Sequence, residues 1–210
     1  IDPNPDPKSS WKERKRLFDA GRSSWQDYNK KLISKGGGIF SRSAKSIKLS
    51  SEIKEMLGVS DNEMTPTKLM KTILKSNADL LWFGGIGTYV RGSSQSDSAV
   101  GDRGNDVLRV SAQELNVKVI GEGANLGITQ EGRMEFAALG GRVNTDAIDN
   151  SAGVNSSDLE VNIKIALGAA VSSNRISTDK RNKILSSMTE QVAKRCLVNN
   201  YQQTLTLSLA

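Results

Sequence analysis

The chain has 210 residues, 29 Lys/Arg against 23 Asp/Glu for a formal charge of +6, one cysteine and no histidine. That length suits one well-buried domain with an appended helical segment better than two large domains. A lone Cys196 rules out an internal disulfide. The lack of histidine removes the commonest metal ligand and general base, so metal sites and histidine-based triads are not expected.

The first residues, IDPNPDPKSSWKERKR, are too polar for a signal peptide, and no apolar run has the length needed to cross a bilayer. A cytoplasmic protein without membrane contact is expected. Three prolines and two aspartates in Ile1–Pro7 read as an extended loop continuing from an element outside the sequence. Residues 1–60 hold 13 Lys/Arg against 7 Asp/Glu, while the remainder is balanced at 16 of each. Lys12, Arg14, Lys15 and Arg16 share a short amphipathic stretch with Trp11, Leu17 and Phe18, the pattern of a solvated helix face. This distribution disfavours a nucleic-acid partner, although a basic nucleic-acid or protein-docking module remains the alternative from outside enzymology.

From Trp11 to about Ser34 the pattern predicts two short helices broken near Gly21–Ser24, followed by a flexible Gly36-Gly37-Gly38 turn. That turn is no phosphate loop, since neither a Lys-Ser/Thr pair follows it nor a buried strand precedes it. A short helix over Ser51–Leu57 ends at Gly58 in a left-handed cap. Thr65-Pro66 then supplies an N-cap and a first-turn proline for a helix reaching Asn77, with Leu69, Met70, Ile73 and Leu74 on one face.

The periodicity changes at Asp79–Phe83, an apolar run that ends in Gly84-Gly85-Ile86-Gly87 like a buried parallel strand feeding a loop. Gly85 and Gly87 do not extend to a GxGxxG fingerprint, because position 90 is valine. The segment 92–104 reads as a mobile loop or lid. A helix is expected over Asn105–Leu115, with Ser111–Glu114 as a capping box for its last part, then a strand over Val117–Ile120. A helix over Gln130–Leu139, capped by Thr129 and stopped by Gly140-Gly141, precedes a third strand over Arg142–Ile148. From Ser157 the chain reads as helical to about Val171, and again from Thr178 to about Asn199. Strands separated by helices predict an α/β fold with a parallel sheet. Three parts are expected: a basic helical segment over 1–64, the sheet over 65–156, and C-terminal helices over 157–210.

Two glycine-and-asparagine turns follow predicted strands: Gly121-Glu122-Gly123-Ala124-Asn125 and Asn150-Ser151-Ala152-Gly153-Val154. Such turns put backbone N–H groups in a crevice at the carboxyl ends of strands, where α/β folds bind nucleotides. Asn125 and Asn150 could hydrogen-bond a ribose or a ligand amide there, yet asparagine also closes ordinary turns. Gly84, Gly85, Gly123 and Gly153 would let the main chain approach a dinucleotide, or would simply permit tight turns. Glu122 reads as a capping or ion-pairing carboxylate before a catalytic one. Ser157-Asp158-Leu159-Glu160 fits a capping box, and a helix N-terminus also favours an anion.

In order and spacing, Glu122-Gly123-Ala124-Asn125, Asn150–Val154 and Ser157–Glu160 resemble the E-G-A-N … N-A-G-G-V-x-x-S-x-x-E series of glutamate dehydrogenases. NTDAIDNSAGV, LLWFGGIGTY and LISKGGG resemble the very large bacterial NAD-specific branch over essentially the whole chain. The resemblance implies a partial Rossmann-like sheet lacking its first strands and NAD as cofactor. It also implies that Asn125 lies beside the nicotinamide ribose, Asn150 beside the nicotinamide, and Gly84-Gly85 at the strand end that passes the ribose. Ser157 would bind the side-chain carboxylate of L-glutamate. Ser151-Ala152 replaces the Ala-Gly of smaller family members, which bears on how closely main chain approaches the ring. The catalytic lysines and aspartate, the phosphate-binding turn and the acidic ribose reader are implied to lie upstream, so the segment alone is expected to be inactive. The rest of the parent polypeptide, L-glutamate and 2-oxoglutarate, and further copies in a homo-oligomer are the implied partners. An amino-acid dehydrogenase of the leucine or phenylalanine type is the alternative among enzymes.

Overall fold

Alternation along two strands determines where the core forms. The computed structural model describes residues 1–210. In chain order its elements are α1 (Pro7–Asp19), β1 (Ile47–Lys48), α2 (Ser51–Leu57), β2 (Glu63–Met64), α3 (Pro66–Leu74), β3 (Ala78–Phe83), β4 (Val90–Arg91), α4 (Asp97–Val100), β5 (Val110–Ser111), β6 (Val117–Glu122), α5 (Gln130–Ala138), β7 (Arg142–Val143), α6 (Asp146–Asp149), α7 (Val154–Ser172), α8 (Thr178–Ser187) and α9 (Thr189–Leu209). Strands β3, β6 and β7 form a parallel sheet in that order, with Leu81 opposite Ile120 and Phe83 opposite Glu122. Phe83 and Ile120 point to the face where Val90, Val110, Ile128 and Phe136 close a buried cluster. Leu80, Trp82 and Val119 point to the other face and are exposed. A second cluster, Ile47, Leu49, Ile53, Met64 and Leu69, joins the β1–β2 pair to α2 and α3.

Capping chemistry reads through to the structure in several places. Gly58 ends α2 with φ +67°. Thr65 accepts Lys68 N–H at 3.3 Å and Thr129 accepts Gly132 N–H at 3.0 Å, starting α3 and α5. No helix is long and apolar enough to cross a membrane.

Other expectations are corrected. Residues 1–6 lie outside helix and strand as expected, but the first helix starts at Pro7 rather than Trp11, because Asp6 accepts Ser9 N–H at 2.8 Å and the fixed φ of proline suits a first helical turn. The second early helix shrinks to two 3₁₀ turns, Trp25–Asp27 and Lys30–Leu32, each capped by the preceding Ser24 or Asn29. No helix spans Asn105–Leu115. Burying Arg109 and Val110 requires extended chain there, so β5 pairs with β4, and only a 3₁₀ turn follows inside the Ser111–Glu114 capping box.

The third strand stops at Val143 because Thr145 caps α6. Helix α7 begins at Val154 rather than Ser157: Val154 N–H bonds to Asn150 O at 2.9 Å, which starts the helical turn three residues earlier. The Ser157–Glu160 capping box therefore does not form, and Glu160 pairs with Lys164 instead. The last helix divides at Met188, and its second half, α9, runs on to Leu209 with Cys196 buried.

Candidate functional site

Because β3 and β6 are parallel neighbours in register, Gly84 and Gly123 leave the sheet side by side at its carboxyl end. The turn after β6 is folded around Glu122, whose side chain is fully buried. One carboxylate oxygen accepts Ile128 N–H at 3.0 Å and the other accepts Arg133 from α5 at 2.6 Å. Burial pushes the Glu122 carboxyl above its ordinary pKa, while Arg133 and the Ile128 N–H oppose that shift. The ion-pairing reading of Glu122 is thus the observed one. Wrapping Glu122–Ile128 around this carboxylate puts Leu126 at φ +58°, a conformation that costs a non-glycine residue about 1 kcal/mol or more.

The second turn is fastened to the first by main-chain donors. Glu122 N–H donates to Asp149 at 3.1 Å and Leu126 N–H donates to Asp146 at 3.0 Å. Asp149 also accepts Asn144 at 3.2 Å, and Asp146 lies 3.7 Å from Arg133. Helix α6 therefore serves as a bolt, its two aspartates three residues apart on one face.

Its consequence is the contact between Asn125 and Asn150. Asn150 Nδ2 donates to Asn125 Oδ1 at 2.5 Å, so carboxamides 25 positions apart in sequence meet across the strand ends. Asn125 Nδ2 and Asn150 Oδ1 make no other hydrogen bond to side chains of the protein, leaving one donor and one acceptor for a ligand amide or hydroxyl. Gly153 accommodates this arrangement, since a Cβ there would lie 2.6 Å from Asn150 Oδ1.

The remaining glycines divide by cause. A Cβ on Gly123 would meet the Trp82 indole at 2.7 Å, so this glycine admits the ring lying over β6. A Cβ on Gly85 would meet nothing within 4 Å, and one on Gly84 only the Trp82 indole at 3.7 Å. That main chain is open to approach from outside. Ser157 lies exposed on the first turn of α7, and its hydroxyl bonds to nothing in the chain, whereas Ser156 donates to Ala152 O.

Arg133, Asp146 and Asp149, which hold the two turns together, escaped the sequence reading. Arg133 sits in a short helix with no marked apolar stripe, and the aspartates look like first-turn helix acids. Only the pairing of Glu122 with a basic residue on the following helix could have signalled them. A mainly apolar cavity of about 350 Å³ lies elsewhere, lined by Trp25, Phe40, Ile47 and Leu69 of the N-terminal part, and contains none of these side chains.

The model for the catalytic domain of bacterial NAD-glutamate dehydrogenase matches residues 1–210. This chain belongs to that family. The NAD-specific glutamate dehydrogenases of Halomonas elongata and Pseudomonas aeruginosa are each 53% identical to it over 210 residues, its whole length. That of Mycobacterium tuberculosis is 51% identical over 209 residues, 97% of the chain. The chain spans about 13% of the length of these curated relatives.

Proposed function

We propose that this chain forms the nicotinamide-side wall of a cytoplasmic NAD-dependent glutamate dehydrogenase, one segment of a larger polypeptide. The reaction is L-glutamate + NAD⁺ + H₂O → 2-oxoglutarate + NH₄⁺ + NADH + H⁺. In this reading β3, β6 and β7 are the later strands of a Rossmann-like domain over 65–156, flanked by the basic segment over 1–64 and the helices over 157–210. The Asn125–Asn150 contact at a parallel strand end is the observation that carries the proposal. A nicotinamide carboxamide has both a donor and an acceptor, which the free Asn125 Nδ2 and Asn150 Oδ1 complement. Gly84, Gly85 and Gly123 border the ribose path, and Gly153 keeps Asn150 seated.

Bound NAD⁺ would supply the hydride acceptor; the chain's own residues bind, orient and exclude water. Ser157 presents an unsatisfied hydroxyl at the start of α7, where a carboxylate is favoured by the helix dipole. An aliphatic substrate side chain covering this hydroxyl would take it from water and leave it without a partner, and this favours glutamate over leucine or phenylalanine. The acid–base and α-carboxylate-binding groups come from the rest of the parent, whose other copies complete a homo-oligomer.

Steady-state assay of the full parent enzyme with glutamate and leucine tests the proposal. Glutamate-dependent NAD⁺ reduction, with leucine at least ~100-fold poorer in kcat/KM, is expected. Reduction of NAD⁺ with leucine as efficiently as with glutamate, or with neither, would overturn it.

A further inference from the structure

The segment 92–104, expected to be a mobile loop, is wired together with residues 105–109 into the glycine turn that borders the candidate cofactor path. Both main-chain groups of Thr88 are taken up by it. Thr88 N–H donates to Asp102 Oδ2 at 2.8 Å, and Arg109 Nε donates to Thr88 O at 3.0 Å. The same Asp102 oxygen accepts Asn105 Nδ2 at 2.8 Å, and Asp102 O accepts the Arg109 guanidinium at 2.7 Å. Gly87 has φ +129°, and a Cβ there would lie 2.7 Å from Asn105 Nδ2, so the turn is pressed against this cluster. Just beyond it, Tyr89 and Val90 N–H both donate to Gly127 O, at 2.9 and 3.2 Å, and Val90 O accepts Thr129 N–H. Thr88 is therefore the junction between the 92–109 excursion and the turn that carries Asn125.

The Arg109 side chain is fully buried and paired with Asp106 at 2.5 Å and Asp97 at 3.3 Å. Desolvating such a group costs about as much as its pairing returns, and apolar side chains of similar volume usually stabilise equally well. A buried guanidinium in a loop is thus poorly explained by stability alone. Its directed bonds to Thr88 O and Asp102 O set a geometry, and the geometry they set is that of Gly84–Thr88.

We propose that Asp102, Asn105 and Arg109 are positioning residues that hold the Gly84–Thr88 turn at the height needed to border the dinucleotide opposite Asn125 and Asn150. The inference rests on the cofactor-wall reading. Replacing Asp102 by alanine frees Thr88 N–H and lets the glycine turn drift, whereas Asp102→Asn keeps an acceptor for Thr88.

The test is kinetic, on the full parent dehydrogenase, with Asp102→Ala, Asp102→Asn, Asn105→Ala and, as a reference, Asn150→Ala. Asp102→Ala is expected to raise the KM for NAD⁺ by roughly fivefold to tenfold, the effect of losing one directed hydrogen bond. The KM for glutamate stays within about twofold, and Asp102→Asn recovers most of the loss. A role in folding only would lower kcat through a smaller active fraction and leave the KM for NAD⁺ unchanged. If Asn150→Ala weakens NAD⁺ binding while Asp102→Ala and Asn105→Ala do not, the brace is wrong and the wall stands. If Asn150→Ala leaves NAD⁺ binding unchanged, the wall reading itself fails and the brace with it. Should Asp102→Ala not fold, Asn105→Ala decides: an unchanged KM for NAD⁺ overturns the proposal.

Discussion

The strand-end turns and the C-terminal helices sit side by side in sequence but are held by opposite means. Around β6 and α6, Glu122 is buried and paired with Arg133 and main-chain N–H groups are held by Asp146 and Asp149, and beside β4 and β5 the buried Arg109 is paired with Asp97 and Asp106. In α7 and α8 no residue is buried, and apolar Val161 and Ile165 face outward. Directed bonds define one geometry for the turns, whereas between the C-terminal helices a single such bond, Asn199 Nδ2 to Asn155 Oδ1 at 3.4 Å, joins α9 to α7. Precision is concentrated where a ligand is proposed to bind.

Removing Arg133 should sharpen that contrast most. Arg133→Met leaves Glu122 as an unpaired buried charge and is expected to cost about 3–5 kcal/mol in urea unfolding of the chain. The sign of its pH dependence follows from Glu122. With its partner gone the folded-state carboxyl rises further above its unfolded value, so the folded state holds the extra proton. Stability of the variant therefore increases as pH falls through the window between the raised folded-state value and the ordinary carboxylate value, and its deficit shrinks as pH is lowered toward that ordinary value. A deficit that does not depend on pH would show that Glu122 is not the group responsible.

A smaller effect is expected at Gly132, on the first turn of α5. A Cβ there would lie 2.9 Å from the Arg91 carbonyl carbon, a main-chain atom that cannot rotate away. Alanine gains about 1 kcal/mol of helix propensity over glycine, but overpacking costs roughly 1–3 kcal/mol, so Gly132→Ala is expected to be destabilising by about 1 kcal/mol. A rise in the urea midpoint would mean that β4 yields more easily than its bonds to Gly127 and Thr129 suggest. The smallest effect belongs to the helices. Ile165→Lys, at a largely exposed site, should shift the stability of this chain by less than about 0.5 kcal/mol. A loss above 2 kcal/mol would mean that α7 is as specifically packed as the turns, and the contrast would dissolve.

What the sequence made legible follows the same division. Local rules found α2 with its Gly58 cap, the Thr65 and Thr129 caps, and the Ser111–Glu114 box, because each needs only residues within one turn. They failed over 92–115 and 142–157, where distant partners decide the conformation. Arg109 is extended because Thr88, Asp97 and Asp102 converge on it, and no periodicity records that. Helix α7 starts early because the Asn150 carbonyl is already placed by α6. Resemblance supplied Asn125 and Asn150 as a pair. Their direct contact, and the Asp146 and Asp149 bolt behind it, became visible only in three dimensions.

The most direct test of a wall shared by the two turns is a double-mutant cycle on NADH affinity in the full parent enzyme, using Asn125→Ala, Asn150→Ala and the double variant. Each single change should weaken binding by about 10-fold, near 1.5 kcal/mol. Because the two carboxamides touch, the double variant should lose at least ~0.5 kcal/mol less than the sum of the singles. Affinities unchanged in both single variants would contradict the account and return both asparagines to the role of turn residues.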